Sequence, residues 1–155
     1  MSTTLKQVQC VKYVPKVRIK QVRDGRVRFE VDQVNKPQDV YDAVRRFYKG
    51  VDREMLSVLC LDNRNAPTCF SVASVGSLNT TRTRPADILK IAILSNAASV
   101  ILLHNHPSGE LEPSPEDMQF TQSMQRACKA VDLQLYDHLI VTDDTFTSLR
   151  GRGLL

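Results

Sequence analysis

The sequence predicts a mixed α/β fold of the α+β kind: a central mixed β-sheet flanked by about three helices, preceded by an N-terminal β-hairpin arm. Three observations carry that expectation. Short apolar runs bounded by turn residues are interspersed with segments whose apolar residues recur at helical spacing. Ser99-Val100-Ile101-Leu102-Leu103 is an unbroken apolar run, as expected of a central strand covered on both faces. A hydrophobic content of 42% in 155 residues suits one compact core.

Val17 to Val31 reads as a β-hairpin around Asp24-Gly25, a dipeptide suited to a type I′ turn. Val27, Phe29 and Val31 alternate cleanly. Val17 and Ile19 fall out of phase with Val22, which suggests a bulge near Lys20-Gln21, with Arg18, Arg26 and Arg28 facing outward. Val40, Tyr41, Val44, Phe47 and Tyr48 then predict a first helix from Pro37 to Tyr48, stopped by Gly50. Glu54 opens a strand through Leu61, and the turn residues Asn63 to Pro67 lead to a second strand from Cys69 to Val75. Pro85 to Ala97 is apolar nearly to its end and predicts a helix buried on more than one side. It feeds the Ser99 strand. A third helix is expected from Pro115 to Val131, then strands from Leu133 to Thr142 and Thr145 to Leu149 joined at Asp143-Asp144.

Charge divides the chain in two. Residues 1–35 hold eight Lys and Arg against three acids, whereas residues 36–155 hold thirteen against fourteen. The first part therefore reads as a basic extension and the second as the folded domain. Such a charge block suits an acidic partner, nucleic acid included, although solvated basic faces are commoner. No apolar run approaches a membrane span and MSTTLKQVQC lacks the apolar region of a signal peptide, so a cytoplasmic protein is expected. The four cysteines, Cys10, Cys60, Cys69 and Cys128, lack C-x-x-C spacing and read as buried or inert thiols.

The chemistry concentrates between Leu103 and Asp117. Alternate residues of a strand project to one face, so His104 and His106 can aim both imidazoles at one ion. Pro107 disfavours the helical region for His106 and keeps it extended. Both would emerge at the C-terminal end of the Ser99 strand, the edge where ligands bind in open α/β sheets. Ser114-Pro115-Glu116-Asp117 has a second reading as a helix start, with a serine N-cap, proline at the first position and an acid at the third. The histidines, too, could be ordinary turn and core residues. Glu54 on its own is an acid at a strand start, beside Asp52 and Arg53.

Taken together, Glu54, His104-x-His106, Ser114 and Asp117 resemble the JAB/MPN metalloprotease motif, in which His-x-His is followed by seven residues, Ser, two residues and Asp. The resemblance is closer to the RadC branch, carried by His104 to Gly109, Pro113 to Asp117 and Asp137-His138-Leu139-Ile140. Arg53-Glu54, Leu61-Asp62-Asn63, Val75-Gly76-Ser77-Leu78 and Ser148-Leu149 also match, so the similarity spans about residues 37–155. It implies a JAB/MPN, cytidine-deaminase-like architecture with Zn2+ held by His104, His106 and Asp117. Glu54 would be the general base and Ser114 the donor to a developing oxyanion, with Asp137 and His138 in support. The resemblance implies that longer RadC proteins carry a helix-hairpin-helix module before such a domain, a module that a chain of 155 residues is expected to lack.

The resemblance implies a zinc-dependent hydrolase cleaving an amide or isopeptide bond of a peptide or protein substrate. Two other functions fit the sequence. One is a DNA-associated protein, a nuclease or repair accessory, using the basic hairpin from Lys16 to Arg28. The other is a JAB-fold module that binds without catalysis. The tripeptide His-Asn-His is weak evidence for a nuclease, because HNH nucleases spread those residues over a ββα motif.

Overall fold

A computed structural model describes residues 13–76 and 83–155 of the chain. Cys10, the N-terminal MSTTLKQVQC, Ser77-Leu78 of the matched motif and most of the loop from Asn79 to Arg84 lie outside them. The elements run α1 (Pro37–Tyr48), β1 (Met55–Leu61), β2 (Pro67–Val75), α2 (Pro85–Leu94), β3 (Ser99–Asn105), α3 (Pro115–Ala130), β4 (Gln134–Val141) and β5 (Phe146–Ser148). The strands form one sheet in the order β2-β1-β3-β4-β5. β3 and β4 are parallel and the other neighbours antiparallel, as a mixed sheet requires. The crossover that makes β3 and β4 parallel is α3.

Each face of the sheet is covered by helices, which is why β1 and β3 are buried along their whole length. On one face Val40, Tyr41, Val44 and Tyr48 of α1 pack against Leu59, Leu61, Ile101, Leu103, Leu139 and Val141. On the other, Ile88 and Ala92 of α2 with Met124 and Cys128 of α3 pack against Leu56, Val58, Val100 and Leu102. Asp117, Thr121, Met124 and Cys128 form a single buried stripe of α3, spaced three and four residues apart. The lower half of that stripe is core. Its upper half reaches the C-terminal ends of β3 and β4.

Two sequence expectations are corrected. Val17 to Val31 forms no β-hairpin, and with no strand there is no bulge at Lys20-Gln21. Val17, Ile19 and Val22 are 75%, 70% and 79% exposed, and only Val27 and Phe29 pack against the α1 side of the core. A two-stranded hairpin is marginal alone, and residues out of phase offer no common apolar face to dock. Arg18, Arg26 and Arg28 are exposed, as expected.

The second correction concerns α2. It ends at Leu94 and buries one stripe, leaving Ile93 54% and Leu94 42% exposed. Asn96 adopts φ 51°, while Asn96 N–H bonds Ile93 C=O and Ala97 N–H bonds Ala92 C=O, a Schellman ending. Cys60 and Cys128 are fully buried, and burial pushes their thiols up to about 12 and about 11, so both are inert at neutral pH. Among the described residues no helix is long and apolar enough to cross a membrane.

Candidate metal centre

β3 delivers the two histidines as alternation predicts, on the α2/α3 face at the end of the strand. His104 pairs with Leu56 of β1 and Ile140 of β4, so it sits at the middle of the sheet edge. Beyond it, His106 N–H bonds Val141 C=O and extends the parallel ladder by one contact. The chain then reverses through His106-Pro107-Ser108-Gly109, closed by Gly109 N–H to His106 C=O at 3.0 Å. Gly109 takes φ 82°, where a Cβ would be strained. This turn returns the backbone so that His106 Nδ1–H donates to Glu110 C=O at 2.8 Å. A carbonyl only accepts, so Nδ1 carries the hydrogen and Nε2 presents its lone pair.

α3 supplies the acid. Ser114 caps the helix, its Oγ accepting from Asp117 N–H at 3.1 Å, while Asp117 Oδ2 accepts from Ser114 N–H and Oγ–H at 2.8 Å each. The helix-start reading of Ser114 and Asp117 is therefore correct, and it does not exclude the other. The same box turns Asp117 toward the histidines: Oδ1 lies 2.9 Å from His104 Nδ1 and Oδ2 3.5 Å from His106 Nε2. His104, His106 and Asp117 are 2%, 9% and 2% exposed. Glu54, at the start of β1, is partly exposed, with Oε2 3.9 Å from His104 Nε2.

The electrostatics follow from this packing. Burial pushes the Asp117 carboxyl up, but His104 and His106 beside it and the Ser114 hydroxyl outweigh that and hold it far below the usual range. The Asp117 carboxylate raises the pKa of His106, against burial and with help from Glu110 C=O. Both ring nitrogens of His104 are buried without a hydrogen-bond partner, the nearest polar group being Asp117 Oδ1 at 2.9 Å from Nδ1. Burying such atoms unpartnered is costly, and nitrogens presented to an ion resolve it. The donor atoms of Glu54, His104 and His106 lie within 4.8 Å of one another, a group that could hold a metal ion. Two imidazoles with carboxylate oxygens form a set that suits a divalent first-row ion.

Three further buried polar residues lie on β3 and β4. His138 stands on β4, fully buried, its ring nearly parallel to that of His104 with centroids 6.4 Å apart. Asp137 faces away from it and ties the C-terminal turn, accepting from Ser148 Oγ–H, Arg150 N–H and His138 N–H. Asn105, unnoticed in the sequence reading, is 3% exposed and bonds the backbone on either side of Glu54. A polar residue between two candidate ligands was the available signal. Its partners depend on how β1 registers with β3.

This fold, with an acid just before β1, His-x-His at the end of β3 and a capped helix returning an aspartate, defines a JAB-type domain with a candidate metal centre. The family model of the RadC-like JAB domain matches residues 34–154, and the chain belongs to that family. A UPF0758 protein of Roseiflexus castenholzii is 38% identical over 130 residues, covering 84% of this chain and 54% of the relative. Another, of Desulforamulus reducens, is 38% identical over 77% of this chain and 52% of its own length. One of Clostridium acetobutylicum, CA_C1241, is 36% identical over 82% and 56%. The chain thus spans about half the length of the curated relatives it matches.

Proposed function

We propose that the chain is a zinc-dependent hydrolase that cleaves an amide or isopeptide bond in a peptide or protein substrate. The observation that carries this reading is the convergence of buried His104, His106 and Asp117 at one sheet edge with the partly exposed Glu54 opposite. Of the carboxylates, Asp117 is the one assigned as ligand, because it is buried and its two oxygens reach both rings. Glu54, farther out and open to solvent, is left free to handle protons. A bound zinc would act as a Lewis acid and bring the pKa of its water near 7.

The protein's own groups do the rest. Glu54 takes the proton from the attacking water and returns it to the leaving amine. His106 is held to one tautomer by Glu110 C=O, which keeps Nε2 available as a donor to the ion. Ser114 is assigned as a donor to the oxyanion of the tetrahedral intermediate. Its hydroxyl hydrogen points at Asp117 Oδ2, so this role needs the hydroxyl to turn.

The test begins with metal content in protein purified without chelators. Near-stoichiometric zinc, and hydrolysis of members of a peptide and isopeptide panel that stops on chelation, are expected. Protein that takes up no zinc would remove the basis of the proposal. Glu54→Gln should keep the metal and lose hydrolysis, whereas His106→Ala should lose both.

A DNA-associated role is the second reading, favoured by the exposed Arg18, Arg26 and Arg28. It concerns a different part of the chain and does not compete for the metal centre.

A further inference from the structure

Asn105 lies between the two histidines, so strand alternation turns its side chain to the opposite face of the sheet. There both ends of its carboxamide are engaged. Oδ1 accepts from Met55 N–H at 2.6 Å and Nδ2 donates to Arg53 C=O at 3.0 Å. These two backbone groups flank Glu54. The β1–β3 ladder ends at Leu56↔His104, so the backbone at 53–55 has no strand partner on that side beyond Leu56. The amide of Asn105 takes the place of the missing ladder contacts. Glu54 C=O accepts from Gly76 N–H at 2.7 Å, which holds the same peptide from the β2 side.

The Glu54 carboxylate has no comparable anchor: among the described residues it makes no hydrogen bond and only approaches the two imidazoles, its Oε2 3.9 Å from His104 Nε2 and the three donor atoms within 4.8 Å of one another. Its position therefore depends on its backbone. We propose that Asn105 is a positioning residue that fixes Glu54 over the metal centre, with one residue of β3 indexing the acid of β1 to the histidines on either side of it. The residue type follows from the task. A planar amide holds an acceptor atom and a donor atom at fixed separation, whereas aspartate would set a carboxylate against Arg53 C=O and serine could not span both groups.

The proposal rests on Glu54 as general base, and its test separates the two. Crystal structures of the zinc-loaded wild type, Asn105→Ala and Asn105→Asp are compared with zinc content and, on any substrate found, kcat and KM. In Asn105→Ala the Glu54 carboxylate is expected to move by about 1 Å or more with zinc retained. Displacement of that size lowers kcat by up to about 100-fold, here with KM little changed, and Asn105→Ala should cause no further loss when it is added to Glu54→Gln. Asn105→Asp keeps the acceptor for Met55 N–H and should fall between, and it serves if Asn105→Ala does not fold. Glu54 unmoved in the variant crystals, or losses from Asn105→Ala and Glu54→Gln that multiply, would overturn the proposal. If the wild type hydrolyses nothing, the hydrolase reading fails alone, and the crystallographic position of Glu54 still decides the role of Asn105.

Discussion

Thr121 and His138 share a buried hydrogen bond of 2.7 Å that fixes which imidazole nitrogen carries the hydrogen. Thr121 Oγ1 also lies 2.6 Å from Asp117 C=O, which only accepts, so the hydroxyl hydrogen points there. Oγ1 must then accept from His138 Nδ1–H. Nε2 is left with its lone pair, buried and without a hydrogen-bond partner. α3 is thereby joined to β4 directly below the metal centre, through the residue one turn after Asp117.

Burial, reinforced by the neighbouring His104, pulls the pKa of His138 down to about 3. A histidine with a lowered folded pKa is protonated first in the unfolded chain, so stability is lost as pH falls below the unfolded value of about 6.5. Between pH 6 and 4.5 the zinc-free protein should lose stability at up to about 1.4 kcal/mol per pH unit from this group. His106, with a raised pKa, is protonated in both states there, and the loss due to Asp117 begins only near its unfolded 3.8. Urea unfolding in that window should show a shallower slope in His138→Gln. Identical slopes would contradict the assignment.

Zinc affinity should depend on pH in a definite direction. The metal needs His106 unprotonated, and Asp117 beside it raises the imidazole pKa above 6.5. Affinity should therefore start to weaken at a pH above the ordinary imidazole value of about 6.5 and fall by up to about tenfold per pH unit for that one proton. Asp117, held ionised by its surroundings, adds nothing above pH 5. Competition titrations with a chelating dye between pH 5.5 and 8 measure this. An affinity flat from pH 7 to 6 would rule out His106 as a ligand.

Much of this centre was legible in the sequence because its geometry is local. A period of two places His104 and His106 on one face, and Ser-Pro-Glu-Asp carries the local signals of a helix start, so strand, helix and their order followed from neighbouring residues. Capping and approach to the histidines coexist at Asp117 because Oδ2 holds the Ser114 box and still lies 3.5 Å from His106 Nε2, while Oδ1 reaches His104. Glu54 and Asn105 are different. Their roles depend on where β1 lies against β3, fifty residues away, and no local pattern encodes that register; family resemblance alone brought in Glu54. The hairpin failed for the converse reason, since Asp24-Gly25 supplies a turn but Val17, Ile19 and Val22 have nothing to pack on.

Ser114 can be divided between its two roles by substitution. Ser114→Ala loses the cap and should cost about 1 kcal/mol of stability, whereas glycine at an N-cap costs only a few tenths. Both lack the hydroxyl. If Ser114 also serves the oxyanion, kcat should fall about 100-fold in both variants, with thermal unfolding lowered chiefly in Ser114→Ala. Activity that follows stability across the two would assign the residue to the cap.

The basic arm gives the last prediction. Arg18, Arg26 and Arg28 are exposed, Arg18 and Arg26 have no ion pair among the described residues, and Arg28 faces Glu30 at 3.6 Å across side chains that are 82% and 79% exposed. A pair so open to solvent competes weakly with phosphate. The arm should therefore bind duplex DNA without sequence preference, with log K falling linearly against log salt concentration. Each arginine that contacts a phosphate contributes about 0.9 to that slope, so replacing all three by Gln should reduce it by up to about 2.7. Zinc content should be unaffected, because among the described residues Arg18, Arg26 and Arg28 make no contact with His104, His106, Asp117 or Glu54. Fluorescence anisotropy of a labelled duplex across a salt series is the measurement. Binding that is absent at low salt, or a slope unchanged by the triple substitution, would remove nucleic acid as the arm's partner.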